Sequence, residues 1–162
     1  MAENTVDAGD CFPTYYCHAN GSEEIRLGTA IAAIFSNKKI LLELRSDVTL
    51  WGLFGGRLDV GETPQECACR EFFEETGISI SADRLSLYGV YGDPKDGRIV
   101  QYPERRIQLV DIVYLTRLDD DINLSLSEES IDVASFTYED LPQELVAPSA
   151  RILKDLRTSN HL

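Results

Sequence analysis

The sequence predicts a mixed α/β (α+β) layer fold in a single domain over residues 1–162, on three observations. Five apolar runs of strand composition are separated by turn clusters, two helical stretches stand well apart from each other, and no repeat or linker divides the chain. Hydrophobic residues at 43% and charged residues at 27% argue against a disordered or fibrous chain. A chain of 162 residues can bury roughly 70% of its unfolded surface, enough for a core without metal or disulfide staples.

Residues 1–22 are polar and turn-rich and read as an irregular segment. Leu27 to Phe35 and Ile40 to Leu44 flank Ser36-Asn37-Lys38, which predicts a hairpin of two strands. Leu50 to Gly61 holds four glycines without helical periodicity and reads as a loop, with Trp51 packed beneath it. Pro64 to Thr76 is a helix. Leu85 to Tyr91 alternates as a strand, and Asp93-Pro94-Lys95-Asp96-Gly97 is a turn cluster. Ile107 to Leu118 is the longest strand, Asp119 to Asp121 a solvated bend, and Ile131 to Phe136 a last short strand. A closing helix, with Ser149 as N-cap, carries Ile152, Leu153 and Leu156 on one face.

Composition also bounds function. Lys+Arg 15 against Asp+Glu 28 leaves a net charge of −13, which repels a nucleic-acid backbone and makes a duplex-binding role improbable. The longest apolar stretch, Thr29 to Phe35, is far below the ~18 residues of a spanning helix, and Glu3 and Asp7 stand where a secretory signal would be basic. Four cysteines do not form a disulfide framework at this length. Cys11, Cys17 and His18 lack a fourth zinc ligand and the usual short spacing. Free thiols in a reducing cytoplasm are the expectation.

The chemistry concentrates between Gly55 and Ile78. Thr63, Pro64 and Glu66 form a capping box with proline at the first helical position, and Gly77 sits where a C-cap glycine belongs. Helical spacing gathers Cys69, Phe72, Phe73 and Thr76 on one side and Glu71, Glu74 and Glu75 within an arc of about 100° on another. Three carboxylates in the C-terminal half of a helix repel one another and oppose the macrodipole, at about 0.3–1 kcal/mol. A solvated acidic face is one reading. The glycine-rich loop leading into the helix favours another, because hard divalent cations take carboxylate and carbonyl oxygens from one side.

These residues also resemble a known family. Gly56, Glu62, Arg70-Glu71, apolar Phe72, Glu74-Glu75, Gly77 and apolar Ile78 match all nine restricted positions of the Nudix hydrolase signature over 23 residues. Leu50 to Gly55 resembles the family's lead-in, with Phe54 where proline is commoner. The resemblance implies a Nudix fold, a mixed β-sheet sandwiched between α-helices. It implies hydrolysis of a phosphoanhydride in a small nucleoside diphosphate linked to a further group, with Mg²⁺ or Mn²⁺ as cofactor. Such an ion would also bring an anionic substrate to an acidic protein.

Residue by residue, the resemblance makes Glu71, Glu74 and Glu75 metal-facing carboxylates, with the Gly55 carbonyl as a further ligand. Arg70 would orient Glu74, and Glu62 would brace loop and helix. Glu71, Glu128 and Glu129 are all candidates for the general base, the last two reading equally well as solvated loop charges. Outside the signature, Arg45 is a candidate phosphate ligand. Arg98, Arg105 and Arg106 form a positive island around Tyr102 suited to phosphate or base, or else a strand-end charge cluster. Pro94, sixteen residues past Ile78, tilts the expectation slightly toward ADP-ribose or a nucleotide sugar over a nucleoside triphosphate. An RNA 5′-end substrate, a non-catalytic nucleotide sensor and a homodimer are the family's further possibilities.

Overall fold

The computed structural model describes residues 23–120, 122, 124 and 130–162. Its central apolar run becomes a strand covered on both faces. Along β1 (Glu23–Ile34), Ala30, Ala32 and Ile34 enter one core while Ile31 and Ala33 enter the other. The helix α1 (Pro64–Thr76) closes the second core through Ala68 and Phe72. The helix α2 (Ala147–Thr158) closes the first through Ile152, Leu153 and Leu156. The expected sandwich of a mixed sheet between helices is what the chain forms.

Among the described residues the sheet has seven strands. β2 (Ile40–Arg45), β3 (Trp51–Gly52), β4 (Ser86–Tyr91), β5 (Ile99–Gln101), β6 (Arg106–Arg117) and β7 (Ser130–Phe136) join β1. The central order is β3-β2-β1-β6-β4, with β5 also on β6 and β7 also on β2. β1 and β6 run parallel in register from Glu23–Arg106 to Ile34–Arg117. The expected hairpin exists only at its turn: β1 and β2 pair at Ile34–Ile40 and then diverge, β2 pairing with β7 instead. That divergence opens a gap beside the middle of β1. The loop after β3 fills it, through Ile31 N–H to Phe54 O at 2.9 Å and Thr29 N–H to Gly56 O at 2.9 Å.

Several expectations are corrected. Residues 50–61 are not all loop, because Trp51 and Gly52 pair with β2. The closing helix starts three residues early: Val146 takes the N-cap position, and Ser149 lies inside the first turn. Its hydroxyl is used elsewhere, accepting from Leu53 N–H at 3.0 Å. On α1 the buried face is Cys67, Ala68, Phe72 and Thr76, while Phe73 is exposed. The packing direction is set by the sheet and by Phe54, whose ring meets Phe72 edge-on at 5.2 Å. Trp51 packs edge-on against Phe136 at 5.0 Å, in keeping with a structural place under the loop. Among the described residues no helix is long and apolar enough to cross a membrane. Cys11, Cys17 and His18 lie outside the described residues.

Candidate active site

Both ends of α1 are fixed as the sequence demands. Glu66 N–H donates to Thr63 Oγ1 at 3.2 Å, and Thr63 N–H donates to Glu66 Oε2 at 2.7 Å. Gly77, at φ 72°, closes the last turn onto Phe73 O at 2.8 Å. The glycine loop is then docked by close approach. Gly55 has φ 146°, and a side chain there would overlap the Thr29 backbone. A Cβ on Gly56 would stand 2.5 Å from both carboxylate oxygens of Glu71. Glycine is therefore required at 56 to let a carboxylate lie against the backbone.

Arg70 organises the exposed side of this site. It grips Glu62 in a two-pronged pair, Nη2 to Oε1 at 2.7 Å and Nε to Oε2 at 3.1 Å. Nη1 donates to Glu71 Oε1 at 2.7 Å and, more weakly, to Glu74 Oε2 at 3.3 Å. Arg70 thus holds Glu62 and Glu71 more firmly than the Glu74 expected from sequence. Glu62 also accepts from Asp59 N–H at 2.8 Å, so it ties the loop to the helix. The Arg70 guanidinium and that N–H pull the Glu62 carboxyl down to about 2.

Glu75 has the opposite environment. It is buried, and one oxygen accepts from Gly55 N–H at 3.0 Å. Burial, then the charge of Glu43, push its carboxyl up to about 9, against the pull of the Gly55 N–H and Arg45. Glu43, on β2, is fully buried and accepts from Ser130 Oγ at 2.7 Å, with Arg45 Nη1 at 3.6 Å. It had not been singled out from sequence. The available signal was a lone acid inside the run Ile40-Leu41-Leu42-Glu43-Leu44.

Among the described residues no three acids, histidines or cysteines converge tightly enough to hold a metal ion. Glu71 and Glu74 are drawn to Arg70 while Glu75 faces Gly55 N–H. The donor set still suits a hard divalent cation: carboxylates around a backbone cradle that a Cβ at Gly56 would fill.

The loop forms one wall of a cleft of about 460 Å³ on the α2 side of the sheet. Leu53, Ile107, Leu109 and Ile152 give it apolar surface, and Thr29, Arg45, Tyr102 and Asp111 give it polar groups. Arg45 is at its edge but paired with Asp47 at 3.0 and 3.1 Å. Arg105 stacks on Tyr102 at 4.9 Å, and both are exposed. The positive island of the sequence is divided. Arg106 pairs with Glu23 at 2.6 Å, and Arg98 turns into the protein to meet Asp111. Alternation along the β5–β6 hairpin separates them. Pro94 opens a short 3₁₀ turn, which Arg151–Asp96 at 3.4 Å ties to α2. Glu128 and Glu129 lie outside the described residues.

A profile of the NUDIX domain matches residues 25–156. The chain is 43% identical over 68 residues to a putative 8-oxo-dGTP diphosphatase from Bacillus subtilis (strain 168), a stretch covering 42% of this chain and 44% of that protein. The match therefore spans less than half of that relative. A crystal structure of a MutT NUDIX hydrolase from Burkholderia pseudomallei superposes with a TM-score of 0.65 at 28% identity, covering 80% of this chain and 96% of that one. A bifunctional NMN adenylyltransferase/ADP ribose pyrophosphatase from Francisella tularensis, complexed with AMP and Mn ion, shares the fold. Its TM-score is 0.64 at 20% identity, covering 83% and 41% of the two chains.

Proposed function

The chain belongs to the NUDIX family, and on that premise we propose that it is a divalent-metal-dependent pyrophosphohydrolase of a small nucleoside diphosphate linked to a further group. ADP-ribose or a nucleotide sugar is the leading substrate class. The observation that carries the reading is the meeting of a carboxylate-lined glycine loop with a ligand-sized cleft.

Glu71, Glu74, Glu75 and the Gly55 carbonyl would hold Mg²⁺ or Mn²⁺. Such an ion, when bound, neutralises phosphate charge and acidifies water. Around it the protein's own groups have separate tasks. Arg70 fixes Glu71 against Gly56 and, through Glu62, fixes the loop. Buried Glu75, beside Gly55, is a place to keep or release a proton at one oxygen. Glu71 is the base candidate within the described residues, with Glu128 and Glu129 as the alternatives. Arg45 reaches the cleft from β2 and would meet phosphate there by exchanging its bonds to Asp47.

A nucleoside triphosphate is the second reading, favoured by the activity named for the Bacillus subtilis relative. Turnover by wild type and Glu75→Gln is measured on ADP-ribose, nucleotide sugars and nucleoside triphosphates, with Mg²⁺ and with chelator. The variant is expected to fold normally and lose about 100-fold or more in kcat. Chelator-insensitive hydrolysis, or a Glu75→Gln protein as active as wild type, would overturn the assignment. Binding without hydrolysis would make the protein a sensor.

A further inference from the structure

We propose that Asp111 is the group through which the cleft recognises a ribose hydroxyl of its nucleotide, with Arg98 as its positioning residue. The inference rests on the nucleotide reading above and narrows it to ribonucleotides. Arg98 is completely buried just before β5. Its Nη1 donates to Asp111 Oδ2 at 2.6 Å, and its guanidinium carbon lies 5.7 Å from the Tyr91 ring centre. Nε and Nη2, both buried, have no hydrogen-bond partner among the described residues. Burying such a pair commonly costs more than packing apolar residues of equal volume, and unmet donors add to the cost. The metal-binding carboxylates do not touch it. A buried charge pair with no structural return points to use of the charge itself.

The position of Asp111 says what that use is. Its side chain is 21% exposed and lines the cleft. In the parallel pairing it stands opposite Gly28. A Cβ on Gly28 would lie 2.9 Å from Asp111 Oδ1 and 2.8 Å from the Gly56 carbonyl. Glycine in mid-strand lets this oxygen come close to the loop that carries Gly56, against which Glu71 lies.

An ionised carboxylate only accepts hydrogen bonds. Phosphate oxygens at neutral pH also accept, so Asp111 repels them. In a nucleotide whose phosphates lie at Gly55–Gly56, the first donors beyond the phosphates are the ribose hydroxyls. The base would continue into the apolar surface of Leu53, Ile107, Leu109 and Ile152. An acid held to accept from a ribose hydroxyl is sound chemistry on other nucleotide-binding folds. Arg98 fixes Oδ2, so that Oδ1 is the oxygen presented.

The test uses ATP, 2′-deoxy-ATP and 3′-deoxy-ATP, and ADP-glucose with its 2′-deoxyadenosine counterpart, all with Mg²⁺. The wild type is expected to lose about 10–100-fold in kcat/KM when the recognised hydroxyl is removed, chiefly through KM. Asp111→Ala should treat the matched compounds alike, and Asp111→Asn should keep part of the preference. Arg98→Lys should lower the same ratio through KM, which a purely structural arginine would not do. Melting curves accompany each variant because Asp111→Ala strands Arg98; the wild-type comparison needs no variant. Equal turnover of ribo and deoxy compounds by the wild type overturns the proposal. So does a folded Asp111 variant that keeps the full preference. No turnover by the wild type of these probes or of ADP-ribose overturns the hydrolase reading itself.

Discussion

Arg70 and Arg98 are both arginines paired with acids, yet their surroundings are nearly opposite. Arg70 is one-third exposed, and its three nitrogens reach Glu62, Glu71, Glu74 and the Arg57 carbonyl. Arg98 is sealed from solvent with one carboxylate bond and two nitrogens unmet among the described residues. Water at Arg70 weakens each pair but also makes the charge cheap to keep. At Arg98 low polarity strengthens the bond and makes either partner costly without the other. The first arginine is built to arrange carboxylates, whereas the second cannot be lost alone without leaving its acid unpaired.

That contrast is tested most severely at Arg98. Arg98→Met leaves Asp111, part-exposed at the cleft wall, without its partner and is expected to cost about 1–3 kcal/mol, read by denaturant unfolding. Arg98→Met combined with Asp111→Leu should recover most of that loss, since neither charge is then stranded. A single variant as stable as wild type would show that losing Arg98 does not strand Asp111, and the contrast would collapse.

At Arg70 the effect moves from stability to catalysis. Arg70→Ala frees Glu71 and Glu62, and kcat/KM for the preferred nucleotide is expected to fall roughly 10–100-fold. Its stability should change by about 1 kcal/mol or less, because the pairs are solvent-screened. Arg70→Lys should restore little, since a single ammonium cannot grip Glu62 with two prongs. A large fall in melting temperature with unchanged turnover would reverse the roles given to the two arginines.

The two residues also differ in how far sequence discloses them. Around Arg70 the signals are local: Thr63, Pro64 and Glu66 start α1, Gly77 stops it, and the spacing from Gly56 to Glu75 carries the family likeness. Those features are legible because a cap or a helix face depends on residues a few positions apart. Glu43 depends on which strands become neighbours, since Ser130 reaches it across 87 positions, and Arg98–Asp111 depends on which face of the β5–β6 hairpin turns inward. Ser149 fails as a cap for the same reason, since Leu53 N–H claims its hydroxyl from a distant loop. Phe73 shares a helical side with Phe72 yet is exposed, because spacing defines a side of the helix but not how much of it the sheet will cover. The lone acids in β2 and β6 were visible; only the fold gives them partners.

Two glutamates extend the comparison to pH. Glu62, held by Arg70, lies at about 2, below its unfolded value, so its contribution to stability is full above pH 4.5 and is lost as pH falls toward 2. Glu75, buried beside Glu43, lies at about 9, so the native state without metal binds the extra proton between pH 4.5 and 9. Stability from Glu75 is therefore full below pH 4.5 and is lost as pH rises through that window. Together they give the metal-free protein a melting temperature that rises from pH 2 to about 4.5 and falls toward pH 9. Glu75→Gln should remove the alkaline slope and keep the acid one. Mg²⁺ or Mn²⁺ should raise the melting temperature most near pH 9, where Glu75 has already lost its proton and needs a positive partner. A flat profile between pH 5 and 9, unchanged by Glu75→Gln, would mean that Glu75 is already charged in the folded protein. The buried side of the site would then be as well solvated as the Arg70 side.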